Sequence, residues 1–179
     1  MRPRHDRRIR IRRFTRTDEE ALVTVFEGLS AASRRARYMA PVEDLGSATR
    51  SALLDVDDHS HVALVAEARS GRRWEPVGLA RYVVDEHHRA ELAYEVVDAW
   101  HGRGVGRRLL TQLVDQARAA GVERLHATVL PDNVASLALL RRVLPQLRVR
   151  HADGLVEVDA WLTEPPLELA DVLADLQVA

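Results

Sequence analysis

Cysteine and lysine are both absent from this 179-residue chain, and its aromatic residues are few: two Phe, three Tyr and three Trp. Without cysteine, the protein cannot form disulfides, thiolate zinc sites or a cysteine nucleophile. Without lysine, it cannot carry the phosphate loop of P-loop nucleotide hydrolases, whose consensus requires one. No apolar run reaches the roughly 18 residues of a transmembrane helix, and the basic start of the chain leads into no apolar signal segment. We therefore expect a cytoplasmic protein with no membrane partner.

Charge is close to balanced, with a formal net charge of -1, but all 26 cationic residues are arginine and seven of them fall within the first thirteen positions. Such a basic segment can bind nucleic acid. Arginine and isoleucine alternate over residues 8–12, however, and this pattern is typical of a strand with one buried and one solvated face. The balanced charge and the few aromatic residues favour the strand, so we expect no nucleic-acid partner.

Hydrophobic periodicity and turn residues predict one α/β domain of the α+β type, over residues 8–163. Thr17 and Glu20 have the spacing of a capping box at the start of the first helix. Residues 164–179 form a short amphipathic tail, which we expect to pack on the domain or at a dimer contact. The predicted strands are 8–14, 61–67, 76–84, 90–97, 124–130, 146–150 and 155–162; the predicted helices begin near 17, 33, 47, 107 and 134.

A glycine-rich turn, residues 98–108 (D-A-W-H-G-R-G-V-G-R-R), lies between a predicted strand and a predicted helix. This arrangement directs free backbone N–H groups and the positive end of the helix dipole at one point, where phosphate commonly binds. Gly102, Gly104 and Gly106 let a ligand approach the backbone closely. The dinucleotide-binding pattern does not fit, because Leu109 stands where its third glycine is required. The turn therefore predicts a phosphate site of another kind.

Residues 101–106 (H-G-R-G-V-G), preceded by Trp100, resemble the pyrophosphate loop [QR]-x-x-G-x-[GA] of the GNAT superfamily of N-acetyltransferases, with His101 in the place of Gln or Arg. The predicted order of elements is also similar to that of this superfamily. The resemblance implies a GNAT fold: a mixed sheet of about seven strands, helices on both faces, and splayed strands 4 and 5. Residues 29–38 (L-S-A-A-S-R-R-A-R-Y) are similar to a segment of the acetyltransferase domains of bacterial protein-lysine acetyltransferases.

The resemblance implies transfer of an acetyl group from acetyl-CoA to a primary amine, with protein lysine among the acceptors, by a monomer or homodimer. It implies direct attack in a ternary complex and no metal. A non-catalytic sensor of acyl-CoA with the same fold is the alternative. The residues implied to bind acetyl-CoA are Gly102, Arg103, Gly104, Val105, Gly106 and Arg107 for the pyrophosphate, and Glu95, Val96, Val97 and Asn133 for the pantetheine arm.

Glu91 matches the glutamate of the protein-lysine branch, which implies a general base that acts through water. Glu95 lies on the same strand face, because side chains repeat every second residue. The alternative is that both glutamates are solvated or pair with Arg81 or Arg103. Leu140 stands where many relatives have a tyrosine that protonates the leaving thiolate. Either the thiolate leaves without a protein acid or another residue serves, and the tyrosines in reach are Tyr94 and Tyr38.

Two groups of histidines invite a metal interpretation. His59 and His61 lie beside Asp57 and Asp58, while residues 87–88 are a histidine pair in a strand connection. The first group is more typical of a solvated turn, and the pair lacks a nearby third ligand. We therefore expect no metal site.

Overall fold

The computed structural model describes residues 8–86, 89–144 and 146–163, where a seven-stranded mixed sheet carries helices on both faces. The strand order is β1-β2-β3-β4-β5-β7-β6. The predicted fold class is therefore confirmed. The strands are β1 Ile9–Arg13, β2 His61–Ser70, β3 Arg73–Val84, β4 Arg89–Val96, β5 Arg124–Val129, β6 Leu147–Ala152 and β7 Leu155–Trp161. The helices are α1 Glu19–Glu27, α2 Ala31–Tyr38, α3 Ser47–Leu54, α4 Val105–Ala119 and α5 Val134–Val143, with one turn of 3-10 helix at Asp98–Trp100.

The sheet separates two hydrophobic cores, and strand β2 contributes alternate residues to each. Val62 and Leu64 pack in the core beneath α4, whereas Ala63 and Val65 pack in the core beneath α1. This alternation follows from the two-residue period of a strand. Because β2 is apolar on both faces, it is buried at the centre of the first half of the sheet.

Strand β1 confirms the interpretation of the arginine-rich start as a strand with one solvated face. Ile9 and Ile11 pack against the core beneath α4. Arg10 and Arg12 point away from it, and both pair with the buried carboxylate of Glu67 on β2, at 2.5 and 3.1 Å. The arginines at residues 10 and 12 therefore form ion pairs within the domain.

The predicted capping box at Thr17 and Glu20 is wrong. The residue that precedes α1 is Asp18, and its side chain makes no capping hydrogen bond to the helix. Its carboxylate accepts the backbone N–H of Thr15 at 2.8 Å and pairs with Arg12 at 2.7 Å. The Asp18 carboxylate is thus occupied by the turn before the helix and by the ion pair to β1, and it does not cap α1.

Strands β4 and β5 run parallel but pair only where they begin. The paired residues are Arg89–Glu91 on β4 and residues 124–126 on β5. Beyond them β4 remains bonded to β3 and β5 remains bonded to β7. The two strands therefore separate after these three residue pairs, which confirms the predicted splay.

The ends of α4 and α5 carry the residues that the sequence predicts. Gly104 precedes α4 with φ 77°, and Gly121 follows it with φ 79°. Asn133 precedes α5, and its side chain accepts the backbone N–H of Ser136 at 3.1 Å.

No helix among residues 8–86, 89–144 and 146–163 is both long and apolar enough to cross a membrane. The predicted tail, 164–179, lies outside the described residues.

Candidate active site

A cleft of about 1260 Å³ opens where β4 and β5 diverge. One side, here called the glycine wall, consists of the turn at 101–107 with helices α4 and α5. The opposite side, here called the arginine wall, consists of helix α2 and the face of β4 that carries Glu91 and Glu95. The cleft thus brings together the glycine turn, the predicted glutamates and Asn133.

The turn exposes backbone amides at the start of α4. The first helical backbone bond runs from the N–H of Arg108 to the carbonyl of Gly104. The amides of residues 104–107 therefore have no partner within the helix. Gly102 and Gly104 have φ values of 69° and 77°, and a Cβ added at either would meet nothing within 4 Å. Both glycines permit a left-handed backbone and leave open space in front of the amides.

Gly106 has a different function from the other two glycines. A Cβ at this position would lie 3.0 Å from Cδ2 of Leu139 on α5. Gly106 therefore permits α4 and α5 to pack closely, which brings Asn133 of α5 to the cleft that the turn lines.

His101 and Arg103 attach the turn to its surroundings. The His101 ring nitrogen Nε2 lies 2.8 Å from the carbonyl oxygen of Val96. Because a carbonyl only accepts, Nε2 carries the hydrogen and donates it. The Arg103 guanidinium lies over the Trp100 ring, 5.2 Å from its centroid. Arg103 and Arg107 are exposed at the edge of the turn, which makes the surroundings of the amides positive.

The backbone of β4 offers hydrogen-bonding groups to the gap at alternate residues. The N–H of Val97 donates to the carbonyl of Val77 on β3 at 3.0 Å. In an antiparallel pair the direction of the backbone groups alternates, so those of Glu95 also point to β3. Those of Tyr94 and Val96 point to the gap. Of the three strand positions predicted to bind the pantetheine arm, Val96 has its backbone directed there.

Glu95 is buried and paired with Arg37 of α2, rather than with Arg81 or Arg103. The Glu95 side chain is 3% exposed and that of Arg37 is 14% exposed. Burial, the largest single influence, lowers the pKa of Arg37, but the attractions of Glu95, Tyr38 and Glu91 together outweigh it and raise that pKa overall. Arg37 is the arginine of the L-S-x-x-S-x-x-x-R-[FY] segment, so this pair fixes the segment against β4.

Arg81 lies deeper behind the same pair. It is 4% exposed, and its Nη1 donates to the carbonyl of Leu53 at 2.6 Å. Burial lowers its pKa to about 10. Nη2 of Arg81 and the phenol oxygen of Tyr38 are buried without a hydrogen-bond partner within the described chain. Burial, followed by the negative charge of Glu95, raises the pKa of Tyr38 to about 12.

The serines of the same segment are tied to the start of the glycine turn. Ser30 precedes α2 and accepts the backbone N–H of Ser33 at 3.2 Å. Burial tends to raise the pKa of Asp98, but hydrogen bonds from Ser30 and Ser33 lower it overall. Asp98 opens the 3-10 turn before residues 101–107. Helix α2 is therefore attached to β4 through Arg37 and to the turn through its serines.

Glu91 is exposed at the closed end of the cleft, on the same face as Glu95. Its neighbour on β5 is His126, whose Nδ1 lies 3.1 Å from Oδ1 of Asp159. Arg124 also pairs with Asp159, at 2.7 Å. His126 and Asp159 were not predicted from the sequence. The two-residue period of β5 places His126 on the polar face, but its partner is 33 positions away, and no local pattern joins them.

Tyr94 projects to the glycine wall. Its phenol oxygen lies 2.6 Å from the hydroxyl oxygen of Ser136 on α5, and both residues line the cleft. Leu140, one turn further along α5, is 1% exposed and packs in the core beneath α4. Asn133 lies at the start of the same helix and lines the same wall.

The Asp57 carboxylate stabilises the turn that carries His59 and His61. It accepts the backbone N–H groups of His59 and His61, each at 2.8 Å, and the hydroxyl of Ser60 at 2.6 Å. No cluster of three or more possible metal ligands occurs within 8–86, 89–144 and 146–163. The histidine pair at 87–88 lies outside the described residues.

The cleft suits a donor with an anionic end and an extended amide-containing arm. Its wide end has free amides, open space at two glycines and nearby arginines. Along its length the backbone groups of Tyr94 and Val96 face the gap, where the Val96 carbonyl also accepts from His101. Its closed end has an exposed carboxylate at Glu91. The chemistry that such a cleft can perform is proton removal from a nucleophile beside a ligand held through its phosphates.

Comparison with known proteins agrees with this geometry. The Acetyltransferase (GNAT) family matches residues 23–144. The acetyltransferase Pat of Mycolicibacterium smegmatis is 35% identical over 120 residues, which are 65% of this chain and 34% of Pat. The chain thus spans about a third of the length of that relative.

Two solved structures share the fold. The GNAT domain of S. lividans PAT is 27% identical, with a TM-score of 0.75 over 89% of this chain and 98% of that domain. The structure of yncA from Salmonella typhimurium with its cofactor acetyl-CoA is 21% identical, with a TM-score of 0.64 over 89% of this chain and 96% of its own. The similarities to Pat and to the S. lividans domain confirm the predicted closeness to the acetyltransferase domains of bacterial protein-lysine acetyltransferases. The chain belongs to the GNAT family of acetyltransferases.

Proposed function

We propose that this protein transfers the acetyl group of acetyl-CoA to a primary amine, with protein lysine as the preferred class of acceptor. One observation carries the proposal: a single cleft connects the free amides at the start of α4 to the exposed carboxylate of Glu91. The resemblance of residues 29–38 to a segment of protein-lysine acetyltransferases supports a protein acceptor. Residues 8–163 would form the catalytic unit, and residues 164–179 would pack on it or at a dimer contact.

The glycine wall would hold the donor. The amides of residues 104–107, with Gly102, Arg103 and Arg107 around them, would bind the diphosphate. The backbone groups of Val96, and of Tyr94 before it, would pair with the amides of the pantetheine arm as a neighbouring strand does. Asn133 would contact the same arm from α5. Acetyl-CoA, when bound, supplies an activated acyl group as a thioester.

Glu91 would accept the proton of the acceptor amine through water. A lysine amine has a pKa of about 10.4, so it is protonated at neutral pH and cannot attack until the proton is removed. Glu91 is exposed to the cleft at the end where β4 and β5 meet, which is where an acceptor entering past α2 would arrive. Holding both reactants in one cleft also makes the reaction effectively unimolecular.

The alternative is a module that binds acyl-CoA without turnover. Leu140 favours it, because this buried residue occupies the position of the tyrosine that protonates the thiolate in many relatives. Both functions require acetyl-CoA binding, but only the enzyme requires Glu91.

The experiment that separates the two functions combines calorimetry with a thiol-release assay. We expect saturable acetyl-CoA binding, and release of CoA when lysine-containing peptides are added. Matched peptides with acetylated lysines should give no release. Mass spectrometry should locate the acetyl group on the peptide, and the lack of any lysine in this chain removes its own side-chain amines as competing acceptors. Binding without release across peptides, amino acids and aminoglycosides would favour the sensor, and no binding would reject both functions.

A further inference from the structure

Tyr94 lines the cleft between Glu91 and the glycine turn, whereas residue 140 is a leucine. Tyr94 belongs to β4, three residues beyond Glu91, and its backbone groups face the gap between the strands. Its side chain crosses to the glycine wall and reaches Ser136 of α5. The phenol therefore occupies the wall of the cleft that a tyrosine from α5 would otherwise supply.

We propose that Tyr94, held by Ser136, is the catalytic residue that donates a proton to the departing thiolate of CoA. This inference rests on the proposed acetyl transfer. The hydrogen bond of 2.6 Å between the two hydroxyl groups fixes the phenol against α5. A hydroxyl can both donate and accept, so Ser136 can accept from Tyr94 or return a proton to it.

The environment of Tyr94 suits a proton donor. Burial raises the pKa of Tyr94, and this effect exceeds the lowering by the hydrogen bond to Ser136. The phenol is therefore protonated at neutral pH. A thiol has an ordinary pKa of about 8.5, so a thiolate that leaves into a partly buried cleft is stabilised by a donor in contact with it.

The other tyrosine in the cleft is less suitable. Tyr38 belongs to α2, on the opposite wall, and its ring packs edge-on against Phe26 at 5.9 Å. It packs with the core beneath α1, beside the buried pair of Arg37 and Glu95. Its phenol is therefore separated from α5 by the sheet.

The proton balance is complete with these residues. The ammonium nitrogen of the acceptor loses a first proton to Glu91 through water, and the neutral amine then forms a C–N bond at the acetyl carbon. The nitrogen, now positively charged, loses a second proton through water after Glu91 has released the first to solvent. The C–S bond breaks, its electron pair goes to sulfur, and the sulfur receives the proton of Tyr94, which regains one from solvent through Ser136. The net products are an amide, a thiol and one proton released to solvent, with no oxidant or reductant required.

The test is the variant Tyr94→Phe, which removes one oxygen atom and retains the ring. We expect kcat for CoA release to fall about a hundredfold, the lower end for general acid–base catalysis, with acetyl-CoA affinity unchanged. Tyr82→Phe, at a tyrosine of β3 that does not line the cleft, is the matched control and should keep its kcat within about twofold of the parent. Normal turnover in Tyr94→Phe, or an equal loss in Tyr82→Phe, would overturn the proposal.

A binding measurement tests the same contact without turnover. Above the pKa of the thiol, we expect the parent protein to bind CoA about tenfold more tightly than desulfo-CoA, which lacks the sulfur, and Tyr94→Phe to lose this preference. Equal preference in parent and variant would contradict the contact. If the parent binds acetyl-CoA but releases no CoA, the proposed function fails, while this comparison still decides whether Tyr94 meets the sulfur.

Discussion

The two walls of the cleft are built in different ways. The glycine wall offers backbone amides, and its shape depends on three glycines within five residues, 102–106. The arginine wall is made of charged side chains from separate elements, with Arg37 of α2 joined to Glu95 of β4. Under the proposed function, one wall would bind a donor common to a large family through main-chain groups. The other wall would meet a variable acceptor through side chains.

The largest effect is expected on the glycine wall, for Gly104→Val. A branched residue at φ 77° is strained, and its side chain would enter the space in front of the free amides. We expect acetyl-CoA affinity to fall by about a hundredfold or more, measured by calorimetry. Gly121→Val is the matched control, because Gly121 has φ 79° and open space at the other end of α4. If both variants bind normally, the turn is not the phosphate site.

Glu91→Gln should show that catalysis, unlike donor binding, depends on the arginine wall. We expect turnover at neutral pH to fall by about a hundredfold, because an amide cannot accept the amine proton, with little change in acetyl-CoA affinity. Glu75→Gln changes another exposed strand glutamate, on β3, and should leave turnover intact. Full activity in Glu91→Gln would remove Glu91 from the mechanism.

Arg37→Met tests the ionic construction of the arginine wall. It leaves the carboxylate of Glu95 buried without its partner, so we expect the free energy of unfolding to fall by about 3 kcal/mol in urea titrations. Arg35→Met is the matched control, because Arg35 lies two positions earlier on α2 and forms an exposed pair with Asp132. It should cost less than about 1 kcal/mol. Equal losses in the two variants would show that burial of the Arg37 pair does not matter.

The smallest effect concerns His61, behind the arginine wall. Burial, followed by the charge of Arg81, lowers the pKa of His61 below its ordinary 6.5. The neutral form is therefore favoured by folding, and its contribution is present above pH 6.5 and is lost as pH falls through the lower folded pKa. Unfolding titrations between about pH 7 and 5 should show a shallower pH dependence for His61→Gln than for the parent. An unchanged slope would contradict this assignment.

The sequence predicted the glycine wall far better than the arginine wall, and the reason is physical. The turn is a contiguous segment whose glycines, free amides and following helix are all local features. The pair of Arg37 and Glu95 joins residues 58 positions apart, and the pair of His126 and Asp159 joins residues 33 apart. Only the packed sheet brings such partners together.

The capping box failed for a related reason. Thr17 and Glu20 have the right spacing, but local spacing does not reveal that Arg12 on β1 lies close enough to engage Asp18. Tertiary ion pairing thus replaced a local motif. The strand predicted from the alternation at residues 8–12, in contrast, is confirmed. The packing of Ile9 and Ile11 against the core requires no specific partner.

The short junction between β4 and β5 has a mechanical consequence. Only three aligned residue pairs join the four-stranded and three-stranded halves of the sheet across this junction. A bound pantetheine chain would bridge the two halves along the rest of their length and act as an eighth strand. We therefore expect amide hydrogen exchange at Tyr94 and Val96 to slow when the donor binds. The bound donor would then join the two halves of the sheet.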